Sequence, residues 1–149
     1  MKTLTITALI LSISISVFAQ TKKQVAKPKP KVTVSTTPTV KASIAAGKVV
    51  YNTYCVSCHL ADGGGVQNMN APLIKTSYVL GSKAQLVSII LKGMQGVEID
   101  GETYSNVMPS HSFLNNKQIA DVLTYVRNNF GNKASVVTSA EVLAVRNKK

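Results

Sequence analysis

Cysteine, acidic side chains and long apolar runs are all scarce in this chain. Only two of the 149 residues are cysteine, which excludes a framework of several disulfides. Six acidic side chains stand against 17 basic ones, so the formal net charge at pH 7 is +11. The longest mainly apolar stretch, residues 4–18, is interrupted by serine. It is also shorter than the roughly 20 residues that a helix needs to cross a bilayer.

Residues 1–19 have the pattern of a secretory signal peptide. A charge at Lys2 precedes the apolar stretch, which ends in Val17-Phe18-Ala19, with short side chains at the two positions that a signal peptidase reads. We therefore predict cleavage after Ala19 and a periplasmic location. The alternative is an uncleaved N-terminal anchor that associates the protein with a membrane. No cysteine lies near the cleavage point, which argues against a lipid-modified N-terminus.

Residues 20–43 are rich in Lys, Pro, Thr and Val, and they centre on Lys-Pro-Lys-Pro-Lys at residues 27–31. Proline fixes φ and removes backbone donors, while neighbouring lysines repel one another. We predict a disordered linker here. The alternation of Val with Thr and Ser over residues 32–35 would suit a strand, but the sequence offers it no partner.

Positive charge is concentrated at the two ends of the chain. Residues 1–46 have a net charge of +7, residues 47–130 of +1, and residues 131–149 of +3. A nucleic-acid-binding domain carries a basic stripe on its folded part, and this chain has none there, so we predict no nucleic-acid partner. The basic tails suit solubility or contact with anionic lipid head groups. We place one folded domain at residues 44–131.

Both cysteines lie in one pentad, Cys55-Val56-Ser57-Cys58-His59, which has the Cys-x-x-Cys-His form of a c-type haem attachment site. Cysteines at this spacing allow one turn of backbone to hold two haem vinyl groups as thioethers. The histidine that follows can then bind iron from one face. A disulfide or half of a zinc site is the alternative, but neither explains a histidine at the fifth position.

A helix over residues 45–56 leads into this pentad. Gly47, Tyr51 and Cys55 are four residues apart and therefore share one face. We expect the glycine to permit close approach of another helix, with Tyr51 and Tyr125 packed at the crossing.

That other helix begins at a capping-box pattern, Asn115 with Gln118, and is expected to stop at Gly131. Its apolar residues recur at helical spacing along one stripe: Ile119, Val122, Leu123, Val126 and Phe130. A third helix is predicted from a Ser82 cap to Gly93. Residues 132–149 form a C-terminal extension, in which Thr138 and Glu141 open a short helix.

Residues 62–65, Asp-Gly-Gly-Gly, predict a turn that lets the backbone run close to a flat cofactor. A phosphate-binding loop is the weaker interpretation, because no strand precedes the glycines and no Gly-Lys-Ser/Thr follows them. A carbonyl within Asn70-Ala71-Pro72 is placed to accept the ring N–H of His59 and fix its tautomer. We assign that contact, and a place beside the cofactor, to Pro72.

Iron held by His59 takes a sixth ligand or keeps an open position. The candidates are Met69, Met94, Met108 and His111. Met108 is favoured because Pro109 stiffens its loop, and because 49 residues after His59 let the chain reach the opposite face. Met69 follows His59 too closely, Met94 closes a buried helix and is explained by packing, and His111 is expected to face water.

These motifs together resemble a class I monohaem cytochrome c over residues 44–131. The matching segments, in order, are Gly47-x-x-x-Tyr51, the pentad, Asp62-Gly63-Gly64-Gly65, Ala71-Pro72-Leu73, Gly93-Met94-Gln95-Gly96, Tyr104-x-x-x-Met108-Pro109 and residues 119–127.

The resemblance implies an all-α, cytochrome c-like fold of three main helices plus short ones around one covalently attached haem c. It implies that Cys55 and Cys58 form the thioethers, that His59 is the proximal ligand and that Met108 is the distal ligand. It is strongest to the small bacterial modules found beside, or fused to, periplasmic dehydrogenases and nitrite reductases.

The functional hypothesis is an exported, monomeric one-electron carrier and not an enzyme. Its expected partners are redox proteins of the periplasm or membrane: a dehydrogenase, a reductase or an oxidase. The alternative is a peroxidase-like or gas-sensing protein in which Met108 leaves the iron. For that chemistry the sequence supplies His111 near Met108, but no distal pair of histidine and arginine.

Overall fold

The computed structural model describes residues 39–148, and within that range every regular element is a helix. The helices are α1 (Val40–Tyr54), α2 (Val56–His59), α3 (Ser77–Leu80), α4 (Lys83–Lys92), α5 (Asn116–Arg127) and α6 (Ser139–Arg146). Extended pairing in this range is limited to isolated bridges. The prediction of an all-α fold is confirmed. The predicted signal peptide and residues 20–38 of the predicted linker lie outside the described residues.

Helix α1 begins earlier than the sequence pattern indicates, at Val40 instead of residue 45. The Thr39 hydroxyl accepts the N–H of Ala42 and caps the helix. The Ser43 hydroxyl is buried and donates to Asp121 Oδ1 of α5 at 2.6 Å. Helix α1 thus begins inside the predicted linker of residues 20–43, where the Thr39 cap and the contact with α5 order the turn before residue 44.

Helices α1 and α5 cross in close contact at Gly47. A Cβ on this residue would lie 2.0 Å from the carbonyl oxygen of Asp121 and 2.8 Å from the Cβ of Tyr125. Tyr51, one turn further along α1, is 1% exposed, and its ring centroid lies 5.3 Å from that of Tyr125. The predicted crossing of these two helices is confirmed.

Helix α5 starts at the predicted capping box but ends at Arg127, before the predicted stop at Gly131. The side-chain amides of Asn128 and Asn129 donate to the carbonyls of the preceding turn, so they replace the backbone donors that a longer helix would use. Phe130 lies beyond the helix with φ of 56° and packs its ring on Tyr51 and Tyr125.

Helix α4 has the predicted Ser82 and Gly93 caps, and α6 has the predicted capping box of Thr138 and Glu141. Helix α6 packs against α4 and α5, and its Val142 is fully buried. The C-terminal segment up to α6 is therefore part of the core. Within residues 39–148 no helix combines the length and apolar character that crossing a bilayer requires.

Replacing Gly47 by alanine has two opposing effects on stability, one from helix propensity and one from packing. Alanine is the better helix former by about 1 kcal/mol, whereas overpacking costs about 1–3 kcal/mol. Since the added Cβ would overlap the backbone of Asp121, we expect Gly47→Ala to lower the free energy of unfolding in urea. Ala45→Gly, at an exposed position of the same helix, measures propensity alone and should cost about 1 kcal/mol. A Gly47→Ala protein more stable than the wild type would contradict the close crossing.

Candidate functional site

Cys55, Cys58, His59 and Met108 line the same cavity, whose volume is about 240 Å³. A single water molecule needs only about 10–15 Å³ on the same measure, so this is not a gap between side chains. Most of the lining is apolar, and α4, α5 and the segment before α5 supply much of it: Leu86, Ile90, Leu114, Val122, Leu123 and Val126. The cavity has the character of a site for an apolar cofactor.

The end of α1 and the single turn of α2 place the two cysteines. The N–H of Cys55 donates to the carbonyl of Tyr51 at 2.9 Å, and the N–H groups of Cys58 and His59 both donate to the carbonyl of Cys55. Both cysteines are unpaired, with Cys55 partly buried and Cys58 exposed. The turn therefore offers two free thiols at one edge of the cavity.

Burial, with a further contribution from Cys58, raises the pKa of the Cys55 thiol to about 11. The thiol is thus protonated at neutral pH. Within residues 39–148 no three His, Cys, Asp or Glu side chains are grouped as metal ligands. The described residues therefore supply neither the ligand group of a zinc site nor the alternative disulfide.

The ring of His59 is oriented by a backbone carbonyl, as the sequence predicts. Its Nδ1 lies 2.9 Å from the carbonyl oxygen of Ala71, so the tautomer that donates from Nδ1 leaves Nε2 free to bind a metal. Burial lowers the pKa of His59, and the hydrogen bond to Ala71 only partly opposes this, so the ring is neutral at pH 7. The assignment of the carbonyl to Pro72 is wrong, but Pro72 does line the cavity.

The glycine-rich turn brings Ala71 back beneath His59. Gly65 donates its N–H to the carbonyl of His59 at 3.1 Å, and its φ is 66°. A Cβ on Gly65 would lie 2.3 Å from the carbonyl oxygen of Asn70. At the start of the turn, the hydroxyl of Tyr51 donates to the carbonyl of Leu60 at 2.6 Å. The turn therefore depends on a left-handed backbone and on a tyrosine hydroxyl that the sequence analysis did not single out.

Three of the four candidate distal ligands line the cavity: Met94, Met108 and His111. Met69 is not among the lining residues and is 46% exposed. Met94 and Met108 pair through two backbone hydrogen bonds of 3.0 and 2.9 Å, which brings the end of α4 against the loop before α5. Nδ1 of His111 lies 2.9 Å from the carbonyl oxygen of Pro109. The choice of Met108 as ligand remains a prediction.

Ile99 also lines the cavity and is 4% exposed, although the sequence analysis did not identify it. Its backbone forms a tight turn with Glu102 through two hydrogen bonds of 2.9 and 3.0 Å. One isoleucine in an acidic loop produces no periodic pattern, so only its apolar character among polar neighbours could have indicated that it is buried.

The family model for cytochrome c matches residues 44–130, which is more than half of the chain. A cytochrome c subunit of alcohol dehydrogenase (quinone) from Gluconacetobacter polyoxogenes is 36% identical over 103 residues, covering 67% of this chain and 22% of that subunit. The gluconate 2-dehydrogenase cytochrome c subunit of Pantoea cypripedii is 30% identical over 107 residues, covering 67% of this chain and 24% of the subunit. The chain thus spans less than a quarter of the length of these relatives.

The resemblance derived from the motifs agrees with this match in both position and family. The matched range contains the pentad, the segment that supplies the Ala71 carbonyl, and the loop that carries Met108. The regular elements in that range are all helices, and the cysteines and the histidine of the attachment motif line its cavity. The chain therefore belongs to the cytochrome c family, whose members transfer electrons through haem held at a Cys-x-x-Cys-His sequence.

Proposed function

We propose that this chain is an exported carrier of one electron with a single covalently attached haem c. One observation carries the proposal: the two free thiols, the oriented ring of His59 and Met108 line one mainly apolar cavity. Membership of the cytochrome c family supports it. We propose the periplasm as its location, in line with the signal-peptide pattern of residues 1–19.

In this proposal Cys55 and Cys58 would hold the haem through thioethers, and His59 and Met108 would bind its iron. Haem bound there would supply a one-electron couple between ferric and ferrous iron. The Ala71 carbonyl keeps the histidine ring in one orientation. The thioether of Met108 and the apolar lining both favour the reduced, less charged iron. With both His59 and Met108 bound to iron, no position would remain for a substrate, so the chain would act as a carrier and not as an enzyme.

We propose a dehydrogenase as the redox partner, because the relatives named above are cytochrome c subunits of dehydrogenases. Redox encounters of this kind bury little area and are short-lived, which permits rapid turnover. Residues 47–130 have a net charge of +1, and two ionised propionates would bring the folded part to about −1. Contact near the cavity mouth, and not a strongly charged face, is therefore expected to guide docking.

The first test is to purify the full chain from cells competent in c-type cytochrome maturation and to record oxidised and reduced spectra. We expect c-type spectra, and haem that stays with the polypeptide after denaturation. Haem lost on denaturation would contradict thioether attachment. Ready binding of cyanide or carbon monoxide by the unmodified protein would favour the peroxidase-like or gas-sensing alternative.

Met108→Leu removes the thioether while keeping a similar volume, so the packing part of its cost in stability should stay below about 1.5 kcal/mol. We expect loss of the ferric Met–iron charge-transfer band and a lower midpoint potential, because methionine sulfur favours ferrous iron. Met94→Leu is the matched control, because Met94 pairs with Met108 and lines the same cavity. Retention of the band in Met108→Leu together with its loss in Met94→Leu would assign the ligand to Met94.

Gly65→Ala tests the support of His59. Alanine at φ of 66° costs about 1–2 kcal/mol, and the added Cβ also overlaps the Asn70 carbonyl oxygen. We expect a lower free energy of unfolding in urea and a shifted midpoint potential, because displacing this segment moves the Ala71 carbonyl away from the ring. Gly64→Ala is the control, since the three atoms nearest its Cβ would all belong to the Asp62 side chain, the closest at 3.1 Å. Equal effects of the two substitutions would contradict this role of Gly65.

A further inference from the structure

The guanidinium of Arg146, in the last turn of α6, reaches across to the segment that precedes α5. Its Nη1 donates to the carbonyl of Ser112 at 3.1 Å, and its Nη2 donates to the carbonyl of Leu114 at 2.7 Å. Its Nε donates to Oδ1 of Asn116 at 2.9 Å. All three guanidinium nitrogens thus bind one short stretch of chain, a geometry that lysine cannot reproduce.

The same stretch is fastened to α4 on its other side. The N–H of His111 donates to the carbonyl of Ile90 at 2.8 Å, and the Ser110 hydroxyl donates to the carbonyl of Leu91 at 2.7 Å. Together with the backbone pairing of Met94 and Met108, these bonds hold the first half of the segment 108–116. Arg146 holds the second half.

Packing alone gives the tip of this segment little support. Phe113 is 65% exposed, and its ring lies beside those of Tyr54 and His111. Leu114, by contrast, is 2% exposed and lines the cavity. Its N–H donates to the carbonyl of His111, so movement at Ser112 or Leu114 is passed to the chain that carries Met108.

We propose that Arg146 is a positioning residue for the distal side of the site. By binding the carbonyls of Ser112 and Leu114 it restrains the segment 108–116 and limits how often Met108 leaves the iron. The inference rests on the proposed function, in which Met108 is the distal ligand. It concerns a residue outside the range 44–130 that matches the family.

Contacts other than those of Arg146 also hold helix α6 against the core, which makes the proposal testable. Val142 is fully buried in the core, and the Lys83 ammonium forms an ion pair with Glu141 and donates to the carbonyl of Val136 at 3.0 Å. Removing the guanidinium should therefore free the segment before α5 while leaving the helix in place.

The experiment uses the full-length, haem-containing protein and its Arg146→Ala variant, with imidazole as the probe. Affinity for an added ligand scales with the fraction of molecules in which the distal position is open. We expect imidazole to bind about fivefold more tightly to Arg146→Ala, which corresponds to about 1 kcal/mol, the net contribution of a single hydrogen bond. Unchanged imidazole affinity would overturn the proposal.

Two control variants separate positioning from charge and from general stability. Lys148→Ala removes one exposed positive charge from the same end of the chain and should leave imidazole affinity unchanged. Val142→Ala leaves a cavity in the core and lowers global stability, but it retains the guanidinium contacts. An increase in affinity with Val142→Ala as large as with Arg146→Ala would also overturn the proposal.

Amide hydrogen exchange gives a readout that does not depend on the identity of the ligand. In Arg146→Ala the amides of His111 and Leu114 should exchange faster, while those in the centre of α5 keep their wild-type protection. If the wild-type protein lacks the Met–iron band, the assignment of Met108 as ligand is refuted. The exchange rates of these amides would still test whether Arg146 restrains the segment 108–116. Unchanged exchange at both amides would refute the role of Arg146 itself.

Discussion

The close contact of α1 with α5 at Gly47 is the constraint on which the site depends. Because α1 runs directly into the turn at Cys55, its angle against α5 decides where the attachment pentad lies relative to the apolar face of α5 that lines the cavity. The hydrogen bond between Ser43 and Asp121 fixes the register of the two helices one turn away. Tyr51 then fills the crossing and reaches the turn that follows the pentad. The close approach of the two helix backbones thus determines the positions of both the cysteines and the cavity wall.

Buried polar side chains connect the remaining elements to this pair of helices. Arg127 is 3% exposed, and its guanidinium donates to the carbonyls of Val79, Gly81 and Ser135 at 2.6 to 3.1 Å. A charge buried to this extent is unfavourable unless its donors are satisfied. Within residues 39–148 every buried side-chain nitrogen and oxygen has a hydrogen-bond partner. The junction of α3 with α4 is therefore fixed to α5 by polar contacts as well as by packing.

Features that depend on near neighbours in sequence were predictable here, and features that depend on distant ones were not. The capping box of Asn115 and Gln118 involves residues three apart, and the attachment pentad is a local pattern. The start of α1 depends instead on Ser43, whose partner is 78 residues away. Ala71, and not Pro72, supplies the carbonyl that contacts His59 because of the path of a turn with several residues at positive φ. The sequence shows only that this turn is rich in glycine.

The core of this chain extends past the family match, which ends at residue 130. Asn132 is 4% exposed; it accepts the N–H of Lys75 at 2.7 Å and donates to the carbonyls of Leu73 and Val126, each at 2.8 Å. These bonds tie the segment just after Ala71-Pro72 to the end of α5, on the side of the cavity where His59 is oriented. Arg146 binds the segment before α5 on the side of Met108. On both sides of the cavity, residues outside the motifs by which the family is recognised thus bind the segments that line it. For this reason we propose residues 40–146 as the structural unit of the site.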